Sequence, residues 1–224
     1  MNGIYGIVSC DVIDSTSLNR DALIQLRKDI YTRLFPDIEA ISPGFWGRVV
    51  RGDTIECCLE NPRKTFRVAL LIKCWFKEWA SSHGASEDMQ KTGVRYSIGI
   101  GPMRLIDREM DMMDGVAIYL AGRNLDSISG RGLSTCFEMA SDNDEVNALI
   151  DNSILLVDSI IGHATDKQLP IVYDRLMGMT ETEIARNLSI SQGAVNQRAK
   201  YAGWPLIKRT LAVLEDIDFD RYVA

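Results

Sequence analysis

Histidine is nearly missing from this chain, with two in 224 residues. No Cys or His stands at zinc-ligand spacing, which excludes a zinc framework. No stretch approaches the about 18 apolar residues of a membrane span. The start, Met1-Asn2-Gly3-Ile4-Tyr5, has neither a basic n-region nor a signal-peptide h-region. These absences point to a cytoplasmic protein with no membrane partner. Cysteine is scarce and odd in number: Cys10, Cys57, Cys58, Cys74 and Cys136. All five sit in apolar stretches and read as reduced core thiols. Positive charge is not in excess either, with 25 Lys+Arg against 31 Asp+Glu. A net charge of −6 argues against a protein that coats nucleic acid but leaves room for a local basic face.

What is present is a globular composition, 46% hydrophobic and 25% charged, outside the disordered range. At about 100–200 residues per domain, the length suits one large domain or a medium one with a small companion. The charge is uneven. Residues 1–164 hold 17 bases and 23 acids, whereas 165–224 hold eight of each. Within that tail, residues 184–214 contain no acid and five bases, Arg186, Arg198, Lys200, Lys208 and Arg209. We therefore expect a boundary near Gly162-His163-Ala164-Thr165, dividing a domain of residues 1–163 from one of residues 164–224.

Residues 3–10 are short, apolar and β-branched, as in a buried strand. Leu23, Leu26, Ile30 and Leu34 recur at helical spacing, and Pro36 closes the pattern. Phe45–Val50 and Thr54–Leu59 read as strands joined at Arg51-Gly52-Asp53. A helix over 63–81 carries an apolar stripe, Val68, Leu71, Ile72, Trp75 and Trp79. Val94–Ile100 reads as a strand ending in Gly99-Ile100-Gly101. A helix over 115–128, a strand over 134–139 and a helix over 144–161 follow. The predicted class is α+β, and its first six elements spell the βαββαβ, ferredoxin-like order.

In that order the first and third strands are neighbours, so Asp11 and Asp53 can meet at one end of the sheet. Two close carboxylates repel unless a cation lies between them, and Mg²⁺ suits such a pair together with phosphate oxygens. Asp14, Ser15 and Thr16 read as a helix opening whose free N–H groups suit a phosphate. The plainer reading makes Asp14 or Ser15 a helix cap, Asp53 a turn residue and Asp11 a solvated carboxylate.

The pieces Asp11-Val12-Ile13-Asp14-Ser15-Thr16, Arg51-Gly52-Asp53, Arg95-Tyr96-Ser97-Ile98-Gly99-Ile100-Gly101 and Gly115…Ala121-Gly122-Arg123 resemble, in order, the motifs of class III nucleotide cyclase domains. The whole chain is similar to SatD-like bacterial proteins, which join such a domain to a helix-turn-helix. The resemblance implies that Asp11 and Asp53 bind Mg or Mn with a nucleotide. It implies that Arg123 is the catalytic arginine, and that the domain forms a homodimer. The pattern departs at Tyr119, Val49 and Met112, where cyclases have an Asn, a Lys and an acid. Missing preorganised groups of this kind can each cost about 10²–10³ in rate, so a degenerate domain that senses a nucleotide or metal is expected. A nucleotidyl cyclase is the alternative.

The strongest local signal lies in the tail. A helix over 166–177 is followed by Gly178. Thr180-Glu181-Thr182-Glu183 has the pattern of a capping box. A short helix over 181–188, a turn at Ser189-Ile190-Ser191 and a second helix over 192–201 complete a small all-α, helix-turn-helix unit. Its sequence resembles sigma-factor region 4. Ser191, Gln192, Asn196, Gln197, Arg198 and Lys200 are the candidate DNA contacts, because amides suit adenine edges and guanidinium suits guanine. Lys208 and Arg209 suit phosphates. The resulting expectation is a DNA-binding transcriptional regulator that holds double-stranded DNA as a homodimer.

Overall fold

The apolar residues of the first strand alternate between two different surroundings, and this sets the layers of the molecule. A computed structural model describes residues 3–50, 52–128 and 132–223. Arg51 of the hairpin motif and Met1 and Asn2 of the start lie outside the described residues. In β1 (Ile4–Val12), Val8, Cys10 and Val12 enter the main core, while Ile7 belongs to a smaller cluster on the opposite face. The sheet runs β2 (Trp46–Val50), β3 (Thr54–Leu59), β1, β4 (Val94–Asp107), β5 (Met112–Gly115), and all of these pairings are antiparallel. A sixth strand, β6 (Thr135–Met139), lies parallel to β4.

On the first face lie α1 (Arg20–Asp29), α2 (Phe35–Ile41), α3 (Thr65–Ser82) and α4 (Glu87–Thr92). The opposite face carries α5 (Val116–Ile128). Pro36 does not close the first helix, as its sequence predicts. A wide π turn over Ile30–Leu34 carries the chain into α2, with the Phe35 N–H donating to the Ile30 carbonyl. That shift in the ladder lets Pro36 sit in the first turn of α2, where its missing N–H costs nothing.

Gly99 and Gly101 do not mark a strand end. β4 continues to Asp107, and the glycines open a channel for α5. A Cβ on Gly99 would lie 2.1 Å from the Ala117 carbonyl oxygen and 2.8 Å from the Ala121 nitrogen. Sequence reading also passed over β5 and α4. At four and six residues they are too short for a periodic signal.

α3 departs from its predicted amphipathic stripe, since 14 of its 18 residues are buried. The C-terminal helices are α6 (Asp144–Gly162), α7 (Leu169–Leu176), α8 (Glu181–Asn187), α9 (Gln192–Tyr201) and α10 (Trp204–Glu215), and α6, α7 and α10 cover the second side of α3. Leu169, Val172 and Leu176 of α7 and Ile207, Leu211 and Leu214 of α10 share the main core with α3 and the sheet. The expected boundary at 163/164 is therefore a change of architecture within one core. Among the described residues of these helices, Ile171, Ile184, Val195 and Ala199 form a cluster of their own, holding α8 and α9 on α7.

Polar ties reinforce this joint. Lys73 Nζ lies 2.8 Å from Asp158 Oδ1 with both side chains buried, and Ser134 Oγ also donates to Asp158. Lys77 Nζ donates to the carbonyls of Lys91 and Gly162, 2.6 Å each. One cation thus satisfies the carbonyl ends of α4 and α6 together. Burial, and the charge of Lys73 after it, hold the Lys77 ammonium below the usual lysine range. Arg67 of α3 clasps Glu215 with both arms of its guanidinium and donates to the Leu176 carbonyl.

The close approach of α5 predicts that Gly99→Ala destabilises the fold by about 3 kcal/mol, because the opposing atoms are backbone and cannot turn aside. Urea unfolding of the two proteins measures this. Equal midpoints would contradict the packing.

Candidate functional site

The register of β1 decides where the carboxylates lie. Asp11 pairs with Thr54 on one side and Arg95 on the other, and the Val12 N–H donates to the Asp53 carbonyl at 3.3 Å. Asp11 and Asp53 therefore share one end of the sheet. Their side chains have separate partners: Arg95 donates to Asp11 Oδ2 at 2.6 Å, and the Ser15 hydroxyl donates to Asp53 Oδ2 at 2.7 Å. The Asp11–Arg95 pair is partly exposed, with 28% of each side chain accessible. Its guanidinium supplies the positive charge that a divalent ion would bring to Asp11. Among the described residues no group of three or more His, Cys, Asp or Glu side chains is placed to hold a metal. In this arrangement Arg95 and Ser15 are the partners of Asp11 and Asp53, and a divalent ion between the two carboxylates would have to displace them.

Asp14, Ser15 and Thr16 do not open a long helix. Ser15–Ser17 form one 3₁₀ turn entered through Asp14 in a left-handed conformation, φ 51°. The N–H groups of Ser17 and Leu18 donate back to Asp14 and Ser15. α1 starts later, capped by Asn19, whose side chain accepts from the Ala22 N–H. A single 3₁₀ turn thus replaces the expected helix opening, and its Ser17 and Leu18 N–H groups are used within the turn. The Ser86 hydroxyl, with that of Ser17, holds the Asp14 carboxyl below the usual carboxylate range.

Arg123 lies on the exposed side of α5. It bonds both oxygens of Glu138 at 2.6–2.7 Å, and its guanidinium lies 5.5 Å from the Tyr119 ring centre. Glu138 pairs with Gly99 of β4, whereas Asp11 pairs with Arg95. Four residues of strand, roughly 13 Å, separate these positions. The structure does not bring Arg123 to the carboxylate pair.

In the tail, both halves of the capping box form: the Glu183 N–H donates to Thr180 Oγ1, and Glu183 accepts from the Thr180 N–H. Those contacts, led by the backbone bond from Thr180, keep the Glu183 carboxyl below its ordinary range. Leu188 ends α8, and Ser189 turns through φ 53°. Ser191 then caps α9 through the Ala194 N–H. Val195 and Ala199 are buried, while Gln192, Asn196, Gln197 and Lys200 are exposed. Arg198 departs from this set. It is half-buried and, at 100° per residue, leaves the helix on the flank away from Asn196 and Lys200. Asn196 also donates to Glu181 of α8 at 3.2 Å. Lys208 and Arg209 are both exposed but diverge around α10.

A further cleft, of about 290 Å³, opens where α7 and α8 meet α2 and α3. Sequence reading gave no sign of it, because its residues come from distant segments. Tyr173 donates to Asp37 at 2.6 Å, with Glu78, Asp174, Arg33, Trp79 and His83 around them. Burial first, then the Asp37 charge, push the Asp174 carboxyl up to about 6. Burial and the Asp174 charge raise Glu78 as well.

No protein-family model matches the chain, and no curated protein matches it. Among solved structures it is similar to a bacterial light-regulated adenylyl cyclase, with TM-score 0.42 and 11% identity, covering 61% of this chain and 76% of that one. A second structure of a bacterial light-regulated adenylyl cyclase matches with TM-score 0.42 and 12% identity, covering 61% and 43%. An adenylate/guanylate cyclase/hydrolase from Silicibacter pomeroyi matches with TM-score 0.41 and 19% identity, covering 56% and 70%. All three are named as cyclases, and at these scores the likeness carries no inference about activity. Among the described residues, no helix is long and apolar enough to cross a membrane.

The Asp174 carboxyl binds its proton more tightly in the folded protein than in the unfolded chain, so its ionisation opposes folding. Stability is expected to fall as pH rises from about 4 to about 6 and then to level off. Asp174→Asn removes this component and stabilises the protein near neutral pH by about 1 kcal/mol, allowing for the water that reaches the cleft. Thermal melts at acid and neutral pH measure it, and a variant that loses stability at neutral pH would refute the assignment.

Proposed function

We propose that the chain is a DNA-binding regulator in which α8, the turn at Ser189 and α9 act as a helix-turn-helix carried on a nucleotide-cyclase-like body. One observation supports this most. α9 is held by Val195 and Ala199 and turns Gln192, Asn196, Gln197 and Lys200 outward, and no acid lies between residues 184 and 214. Helix N-termini enter the major groove deepest, which assigns Ser191 and Gln192 to the groove entrance. Asn196 and Gln197 offer amides to adenine edges, and Lys200 meets phosphate. Arg198, half-buried on the flank, contributes less than its sequence position implies. A single unit of this size binds weakly, so the working form on double-stranded DNA is a homodimer.

The second reading is a nucleotidyl cyclase using Mg or Mn, favoured by the ordered motifs and by the shared sheet end of Asp11 and Asp53. It requires Arg95 to leave Asp11 and Arg123 to leave Glu138. A degenerate body that binds a nucleotide without converting it needs neither rearrangement.

Fluorescence anisotropy on duplex DNA tests the first reading. Binding is expected to weaken steeply with salt. Gln197→Ala with Lys200→Ala is expected to reduce affinity about tenfold or more, and Asp53→Ala to leave it unchanged. Equal binding by the double variant and the parent would refute the DNA reading. Product analysis after incubation with ATP or GTP and Mn²⁺ tests the second. Cyclic product that disappears with Asp53→Ala would establish it in place of the degenerate body.

A further inference from the structure

The turn from α7 to α8 lies against α3 and α10, and a pocket of about 220 Å³ opens between them. Arg67 of α3, Arg175 in the last turn of α7 and Lys208 of α10 line it, with Met179 and Trp204 as apolar walls. Among the described residues no acidic side chain lines it. On α10 the spacing of Trp204, Lys208 and Leu211, four and then three residues, keeps them on one face of the helix. Glu215 continues that row and accepts from both arms of the Arg67 guanidinium. The three basic groups are therefore gathered by packing between segments far apart in the chain.

This corner holds more positive charge than the chain neutralises. Glu215 is shared between Arg67 at 2.6 Å and Lys64 at 3.7 Å, and Glu181 pairs with Arg175. Lys208 is exposed and, among the described residues, closes no ion pair. Lys64, Arg67, Arg175 and Lys208 thus face only Glu181 and Glu215. The guanidiniums also keep unused donors. Each has five N–H groups. Arg67 uses three, on Glu215 and the Leu176 carbonyl. Arg175 uses two, on Glu181 and the Met179 carbonyl, and its Nε is buried without an acceptor. Only 20% of the Arg67 side chain and 16% of the Arg175 side chain are accessible, so both forks are fixed before any ligand arrives.

We propose that this pocket binds a phosphate group. The excess of positive charge suits a dianion, and fixed guanidinium forks match the geometry of phosphate oxygens. Against about 30 Å³ for one water molecule, the volume admits a phosphate group with a few waters and excludes a whole nucleotide. Lys208 closes the open side as a point charge. Because the bases come from three elements, a bound phosphate ties α3 to α7 and to α10. The site shares no residue with the sheet end of Asp11 and Asp53, and it stands independently of what α9 binds. The phosphate group belongs either to a free phosphoryl compound or to a DNA backbone.

Titration calorimetry of the full chain with inorganic phosphate, with chloride adjusted to hold the ionic strength constant, tests it. One saturable site per chain is expected, and phosphate should raise the melting temperature by mass action. Lys208→Ala is expected to weaken phosphate binding about tenfold. Arg209→Ala removes an equal charge one residue away and should change it less than about twofold. Both side chains are exposed, so neither substitution should shift the melt of the phosphate-free protein. A titration that does not saturate would overturn the proposal. So would full affinity in Lys208→Ala, or an equal loss in Arg209→Ala. Repeating the titration in the presence of duplex DNA identifies the source, either outcome upholding the site. Unchanged phosphate affinity assigns the pocket to a free phosphoryl compound, and displacement of phosphate by the duplex assigns it to the DNA backbone.

Discussion

A helix that is apolar nearly all the way round has to be covered on every side, and α3 imposes this constraint on the rest of the molecule. The sheet covers one side of it. Left there, Trp75, Phe76 and Trp79 would stay partly in water, at a cost of about 1.5–3 kcal/mol for each large side chain. α6, α7 and α10 supply the second cover, and the tail is therefore anchored in the main core. The two lysines of α3 follow from the same geometry. Lys73 is buried because α3 is, and it needs Asp158 from α6 as a counter-charge. Lys77 needs carbonyl acceptors and finds them at the ends of α4 and α6.

This anchoring shapes any functional account. α8 and α9 are held by Ile184, Val195 and Ala199 packed on Ile171 of α7, and the groups proposed to read DNA face outward from α9. α7 cannot shift without disturbing the core it shares with α3. The cleft at Asp37, Tyr173 and Asp174 belongs to this joint, and there burial and neighbouring carboxylates raise the proton affinity of Asp174 and Glu78.

The polar surface of the sheet shows how the same residue types can serve different ends. Asp11 was expected to hold a metal ion and Arg123 to act on phosphate, yet each closes an ion pair within the chain, with Arg95 and Glu138. Such pairs contribute little stability at a partly exposed surface. Their effect is on availability, because a carboxylate with its own guanidinium has less need of a metal.

Much of the fold was legible from pattern. Runs such as GIYGIVSC and TIECCL are short and apolar, and the Thr180–Glu183 box and the Ser191 cap are local signatures whose partners lie three residues away. For the same reason the helices of the tail could be read nearly residue by residue. The passage through Pro36 was not legible, because a π turn leaves no periodic trace. Nor was the role of Gly99, since only the backbone of α5 explains it. The amino-acid sequence by itself determined most of the succession of elements, the burial of Cys10, Cys57, Cys58 and Cys74 though not of the half-buried Cys136, and the acid-free stretch around α9, all set by composition and near-neighbour chemistry. The tertiary structure alone decided that the tail shares its core with α3, that Asp11 faces Arg95, and that Arg67, Arg175 and Lys208 line one pocket. Each of these depends on register or packing between residues far apart in the chain, and the sum of many weak contacts that selects them has no local signature.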